Sequence, residues 1–490
     1  MKSTYRLGAL AALTVLSVSM ISACRTSPAA AAPEWQTCRG SGLDPRQECA
    51  NIQVPLDYSH PEGEQITLAL SRIRSAHPES RHGVMLLVPG GPGGPGLNQP
   101  SAASATLPAA VRDAYDLVSF DPRGLGASTT ADCRLNPDDL ILERFRGWPG
   151  GDGDISANIA VAQRIAKGCA ENGGALVRSM STRTEARDMD RIRAALGQDR
   201  ISMWGESYGT YATSVYATLF AARTDRILLD SNDDPAPGRV EQVWNANYAV
   251  GVTDRFPDFA RWASDPANPD RLAETTEAVR TEFLTLAARL DGAPLPWPGS
   301  QLGRLTGNGL RQMLLDGLYR DDRFPDLARM IRAAATASTT LPAAEPGPPE
   351  SAVQQRTAVA VGTICNDAAW PTTISDYVSA VARSRAEHPL TAGLPQNLSP
   401  CTFWPYPAVE QTVVTPDGPS NVLMIQNLRD PATPYSGALE LRHAYGDRAR
   451  MISVDAGGHG AYPSPSACAN DAVERFLRDG TRPDQDILCR

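Results

Sequence analysis

ISMWGESYGTYATSVYATLFAA, residues 201–222, is the stretch that decides the fold of this 490-residue chain. Residues 201–204 form a short apolar run of the kind found in strands buried on both faces. Gly205-Glu206-Ser207-Tyr208-Gly209 follows at once, and residues 208–222 read as a helix. A serine in G-x-S-x-G between a strand and a helix sits at a sharp, strained turn. Side chains two positions either side of Ser207 would collide in such a turn, hence the two glycines. The turn pushes the Ser207 hydroxyl outward at a helix N-terminus, where free N–H groups and the helix dipole favour developing negative charge. G-x-S-x-G also occurs in structural turns, and the strand before it and the helix after it are what give it meaning here.

Outward from that turn, short apolar runs alternate with helical stretches from about residue 50 to 235. Runs at 84–88, 117–120, 201–204 and 227–229 are punctuated by Gly, Pro or Asp, the rhythm of βαβ units and a parallel sheet. From 236 to 415 the periodicity is helical (271–290, 310–318, 327–335), with a proline-rich loop at 341–350. Strand runs return at 422–425 and 451–454. The expected architecture is therefore α/β, of the α/β-hydrolase type. Its core is split into 50–235 and 416–490, with a mostly helical cap, 236–415, inserted before the last strands. A cap so placed lies over the carboxyl ends of the strands, where open α/β sheets bind ligands.

An alcohol of ordinary acidity needs a base. Of the six histidines, His60, His77 and His82 precede Ser207 and do not fit the chain order Ser, acid, His. His388 precedes a proline within the insert, and His443 falls in an apparent helix, 436–445. His459 remains, in Ala456-Gly457-Gly458-His459-Gly460, just after a strand; the glycines let its loop bring the imidazole over Ser207. Asp430 follows the 422–425 strand and is the expected partner of His459, although an Asp-Pro turn would also explain it. Asp455 is too near His459 along the chain, and Asp230 is the runner-up. Oxyanion donors are expected from the N–H groups of Gly91, in PGGPGGPG (89–96), and of Tyr208. The glycine loop lacks the G-K-[ST] ending of a phosphate-binding loop. DPRGLGAS (121–128) reads as structural, with Arg123 holding its neighbours.

A net charge of -9 argues against a nucleic-acid binder, and 42% hydrophobic with 21% charged residues is ordinary for a globular protein. Lys2 and Arg6, an apolar run to residue 21 and then Ile21-Ser22-Ala23-Cys24 form an export signal too short for a comfortable membrane span. Its end resembles a lipobox, which would make Cys24 the lipidated first residue of the mature chain and the only link to a membrane. Ordinary cleavage near Ala30-Ala31-Ala32 is the alternative. Residues 1–24 are thus the signal and 25–49 a tether and N-terminal segment. Eight cysteines remain, and in an oxidising compartment an even number reads as disulfides. Sequential pairing (Cys38 with Cys49, Cys133 with Cys169, Cys365 with Cys401, Cys468 with Cys489) is the simplest of roughly a hundred arrangements. No Cys-x-x-Cys or His/Cys cluster suggests zinc, and no cofactor is expected. Oligomeric state is not legible.

PGGPGGPG (89–96), DPRGLGAS (121–128), GESYGT (205–210), TICND (363–367), DPATP (430–434) and GGHG (457–460), in that order, resemble the proline iminopeptidase and tripeptidyl aminopeptidase family of secreted bacterial serine peptidases. The resemblance covers nearly the whole mature chain. Pro89 stands where iminopeptidases have a histidine, which looks more like the tripeptidyl branch. The resemblance implies release of short peptides, tripeptides among them, from free N-termini through an acyl-enzyme. It also implies a buried acid for the substrate ammonium. Glu206, Asp233 and Asp367 are candidates by position, and Glu206 and Asp367 are favoured. Other readings are an esterase or amidase for small molecules, a serine carboxypeptidase (its usual Cys-Ser-Ser is missing here), and a peptide-binding surface lipoprotein without catalysis.

Overall fold

The computed structural model describes Met1 and residues 32–336, 341–409 and 411–490. The export signal and Cys24 lie outside the described residues.

Twelve strands occur among the described residues: β1 (Gln36–Thr37), β2 (Glu48–Pro55), β3 (Gln65–Ile73), β4 (Gly83–Val88), β5 (Tyr115–Phe120), β6 (Ile201–Ser207), β7 (Thr224–Asn232), β8 (Leu295–Pro296), β9 (Arg304–Leu305), β10 (Val422–Arg429), β11 (Ala449–Gly457) and β12 (Ile487–Cys489). Ten form one sheet in the order β1-β2-β3-β5-β4-β6-β7-β10-β11-β12, and β8 and β9 make a separate small hairpin. From β5 to β12 the sheet is parallel, and β1, β2 and β3 pair antiparallel at one edge. All six strand runs read from the sequence lie in this sheet.

Both faces of the parallel part are covered, which is why those strands read as unbroken apolar runs. Leu86, Val88, Val118 and Met203 pack on one face against Met189, Tyr211 and Val215 of two helices. Met85, Leu87, Leu117 and Ile425 pack on the other against Val473 and Phe476. The leading strands escaped notice because β2 alternates buried and exposed residues and offers no such run.

β7 and β10 are hydrogen-bonded neighbours, Val422 opposite Ile227. The chain therefore leaves the sheet at the carboxyl end of β7, where the long insertion begins, and returns one strand over, Asn421 reaching the start of β7 at the amino edge just before β10. Helices Val240–Ser264, Thr276–Gly292, Gly307–Leu318 and Phe324–Ala335 share a core of Phe256, Phe259, Phe283, Leu314 and Ile331. The first of these helices was not visible in the sequence, where Pro257 and several polar residues interrupt its apolar pattern. Helix Glu350–Asp367 packs instead on the chain that follows β5, where Ala358, Val359 and Cys365 meet Leu125, Ile165, Val177 and Met180. Residues before β6 and residues after β7 thus share one core there.

Four disulfides join Cys38 to Cys49, Cys133 to Cys169, Cys365 to Cys401 and Cys468 to Cys489, the sequential pairing. Such bridges persist outside the reducing cytosol, which places the folded chain in an extracellular, oxidising setting. Among the described residues no helix is long and apolar enough to cross a membrane.

Candidate active site

β6 ends on Ser207, which takes φ +58° and ψ −131°, and the helix Tyr208–Leu219 begins at the next residue. A non-glycine residue in that conformation is strained, and its neighbours must hold it there. The motif glycines do so by allowing close approach. A Cβ on Gly205 would run into the Gly209 carbonyl, and one on Gly209 into the Val88 carbonyl. The glycine loop after β4 passes beside the serine, since a Cβ on Gly90 would lie 3.2 Å from Ser207 Cβ and 3.7 Å from its Oγ. Gly91 comes next in that loop, and Tyr208 is the first helical residue. Both amides therefore belong to backbone that adjoins the serine. Asp121 pins the far end of the loop by accepting from Gly96 N at 2.9 Å. Arg123 donates to both Asp188 oxygens (2.8 and 2.7 Å) and to the Leu56 and Pro55 carbonyls, which holds the end of β2 in place.

His459 stands two residues past β11, and Asp430 one residue past β10. The imidazole Nδ1 lies 3.0 Å from each Asp430 oxygen. Asp430 is fully buried and also accepts from Ala432 N (2.8 Å), Thr433 N (2.9 Å) and Thr433 Oγ1 (3.0 Å). It is both the turn-former of DPATP and the partner of the ring, so the two readings of this residue are compatible. With Nδ1 engaged, Nε2 is left for proton exchange. Burial alone would lower the proton affinity of the ring. The Asp430 charge and hydrogen bond, helped by Glu206, outweigh it and hold His459 well above the ordinary histidine value.

The loop bearing His459 is tied to the strand beside the serine. Gly460 N donates to Ser231 Oγ (2.9 Å), Ala461 N to Asp230 Oδ1 (2.7 Å) and Tyr462 N to Asp230 Oδ2 (3.1 Å). Asp230 lies directly opposite Glu206 in the β6–β7 register. It serves as the anchor of the loop and not as the partner of the ring, and burial pushes its carboxyl up to about 8. Asp455 is engaged by Arg429 at 2.7 Å. Tyr319 holds the other side of the loop: His459 N donates to Tyr319 O (2.9 Å), and the two rings pack edge to face with centroids 5.0 Å apart. Among the described residues no hydrogen bond joins Ser207 Oγ to the ring, the looser arrangement common before substrate binds.

The three candidate acids sit differently. Glu206 is exposed at the rim, with Oε1 3.9 Å from where a Gly460 side chain would begin. Asp367, at the end of helix Glu350–Asp367, is buried and accepts from Thr182 N (2.9 and 3.1 Å) and Thr182 Oγ1 (2.5 Å); burial pushes it up to about 6. Asp233, just past β7, is buried and pushed up to about 8 by desolvation. The structure adds Glu241, on the first turn of helix Val240–Ser264. It is 2% exposed, and neither carboxylate oxygen has a donor. Burial, and the charges of Asp367 and Asp233 beside it, raise Glu241 well above the carboxylate range. Among the described residues no lysine or arginine pairs with Asp233, Glu241 or Asp367. No group of three or more His, Cys, Asp or Glu converges there as metal ligands would.

A family profile described as alpha/beta hydrolase fold matches residues 83–288, and one described as TAP-like protein matches residues 390–489. The tripeptidyl aminopeptidase of Streptomyces lividans is 32% identical over 472 residues, spanning 93% of this chain and 86% of its own length. Serine protease Hip1 of Mycobacterium tuberculosis (strain ATCC 25618 / H37Rv) is 27% identical, spanning 93% of this chain and 90% of its own. Carboxylesterase B of the same strain is 28% identical, spanning 93% and 89%. Among solved structures, a hydrolase from Pseudomonas aeruginosa PA01 aligns at 12% identity over 90% of this chain and 99% of that one, with a TM-score of 0.36, a likeness too slight to weigh.

Proposed function

The chain belongs to the tripeptidyl aminopeptidase family of α/β-hydrolases. From that premise we propose that Ser207, His459 and Asp430 form the acyl-transfer machinery of a serine peptidase that cuts short peptides from free N-termini. His459 Nε2 takes the proton of Ser207 as its oxygen attacks the scissile carbonyl, and Asp430 orients the ring and stabilises its cationic form. The oxyanion collects on the N–H groups of Gly91 and Tyr208, fixed before the reaction starts. The ring then gives its proton to the departing amine, and water releases the acyl group.

The observation that carries the N-terminal reading is the buried acid cluster beside the triad. Burial holds Asp233, Glu241 and Asp367 above the usual carboxylate range, and among the described residues no cation pairs with them. A substrate ammonium supplies that cation, with Glu206 adding negative charge at the rim. Three residues is the length proposed for the released peptide, following the relatives. Esters would meet the same serine, and one relative is named a carboxylesterase, but an ester without an amino group leaves the acids unpaired.

The experiment compares one peptide in three forms: free, N-acetylated and C-amidated. Cleavage of the free and amidated forms only is expected; equal cleavage of the acetylated form would falsify the proposal. We further propose export as a lipoprotein anchored through Cys24, with the cap spanning about 236–415. If that holds, Cys24→Ala should move the protein from the envelope to the medium, and unchanged fractionation refutes the anchor.

A further inference from the structure

Among the described residues, a cation beside the site takes no part in the catalytic scheme. Arg146, just after the short helix Leu142–Phe145, is half-buried under the cap. Its guanidinium lies over the ring of Tyr248, 5.4 Å from the centroid. The phenols of Tyr248 and Tyr319 both act on this charge, and their hydroxyls are 3.2 Å apart. Tyr319 is the residue whose ring packs on His459. An unbroken run of contacts therefore leads from the imidazole to the guanidinium.

Among the described residues, buried Arg123 pairs with Asp188, Arg255 with Asp258 and Asp321, and Arg311 with Asp291, while buried Arg448, just before β11 and so at the amino edge of the sheet, donates only to the Asp417 carbonyl. Arg146 has no carboxylate within ion-pairing distance among the described residues. The acid whose charge it feels, Asp316, is held by Gln312 at 3.0 Å. Of two hydroxyls that face each other only one donates to the other, which leaves one O–H free alongside the guanidinium donors. A guanidinium with no carboxylate partner, beside a phenol hydroxyl, makes a site for an anion.

We propose that Arg146, with the hydroxyls of Tyr248 and Tyr319, binds the carboxylate that ends the departing peptide. This rests on the aminopeptidase reading, because His459 protonates the leaving amine and whatever follows that amine must pass the Tyr319 ring. A departing segment of one or two residues reaches roughly 3.5–7 Å past the cut bond, the scale of the 5.0 Å ring contact of His459 and Tyr319 that it must pass. The favoured substrates are then short peptides with both ends free, their ammonium toward Asp233, Glu241 and Asp367 and their carboxylate toward Arg146.

The test measures kcat/KM for Ala-Ala-Ala-Ala as the free acid and as the amide, and for Ala-Ala-Ala-Glu amide, with the parent enzyme, Arg146→Met and Arg146→Lys. The parent should prefer the free acid over the plain amide by about tenfold or more, the scale of one charge-assisted pair. The preference should fall to near one in Arg146→Met and be partly kept in Arg146→Lys. A parent ratio near one, or the same ratio in Arg146→Met, overturns the proposal. The glutamyl amide separates sources: treatment like the plain amide supports a terminal carboxylate, and treatment like the free acid overturns that assignment in favour of an acidic side chain. Should Arg146→Met fail to fold, the parent ratio decides alone. Failure of the aminopeptidase reading would show differently, as cleavage of acetylated peptide.

Discussion

The two walls of the site differ in how their polar groups are satisfied. On the sheet side, Asp430 has three donors besides the ring, Asp230 holds two amides, and the strained Ser207 is wedged between close-packed glycines. On the cap side, among the described residues, Glu241 has no donor and Arg146 has no carboxylate within ion-pairing distance. A buried polar group left unpaired costs free energy, so the cap wall is stable only in company. The sheet is preorganised for chemistry, and the cap wall is charged for recognition.

That difference predicts a hierarchy of effects. Ser207→Ala strikes the preorganised wall and should cut turnover on the order of 10³-fold or more without unfolding the protein. A fluorophosphonate probe should label the parent and not the variant. A variant that keeps the parent rate on peptides would erase the distinction between the walls, because the chemistry would then lie elsewhere. Asp367→Asn strikes the cap wall. It keeps the shape and the Thr182 acceptor but removes a charge, so kcat/KM for free peptides should fall about 10–100-fold, mostly through KM. A loss confined to kcat would place Asp367 with the chemistry and blur the contrast.

The same contrast explains what could be read in the sequence. The strands that carry Ser207, Asp430 and His459 are continuous apolar runs because both faces of each are covered, and each ends in a turn rich in glycine or proline. Those signals are local. DPRGLGAS was legible as structural for the same reason, its Arg123 and Asp121 serving the backbone next to them. Glu241 carries no local signal: a glutamate in the first turn of a helix is ordinary, and only the docking of that helix onto Asp367 makes it a buried orphan. Arg146 is similar, since its want of a partner is a property of helices distant in sequence. β2, near the antiparallel edge, was missed because one of its faces is wet and its pattern alternates. Rank by position alone also put Glu206 beside Asp367, and here burial separates them.

Glu206 supplies the smallest and sharpest test, because it belongs to the sheet by position and to recognition by charge. Exposed at the rim, it is screened by water and should contribute little to affinity, about 2–3-fold at most. Its charge is felt by His459, however, where it favours the imidazolium. A ring whose proton affinity is raised stays protonated to higher pH, and a protonated ring cannot act as base. Activity should therefore rise with pH through a value above that of an ordinary histidine. Glu206→Gln removes one of the charges that hold the value up, so the acid limb of the kcat/KM profile should move to lower pH while the plateau stays within a factor of about three. An acid limb that stays put would show that Asp430 alone sets the proton affinity of the ring. A plateau that collapses with KM would show that the rim, and not the buried cluster under the cap, holds the substrate ammonium.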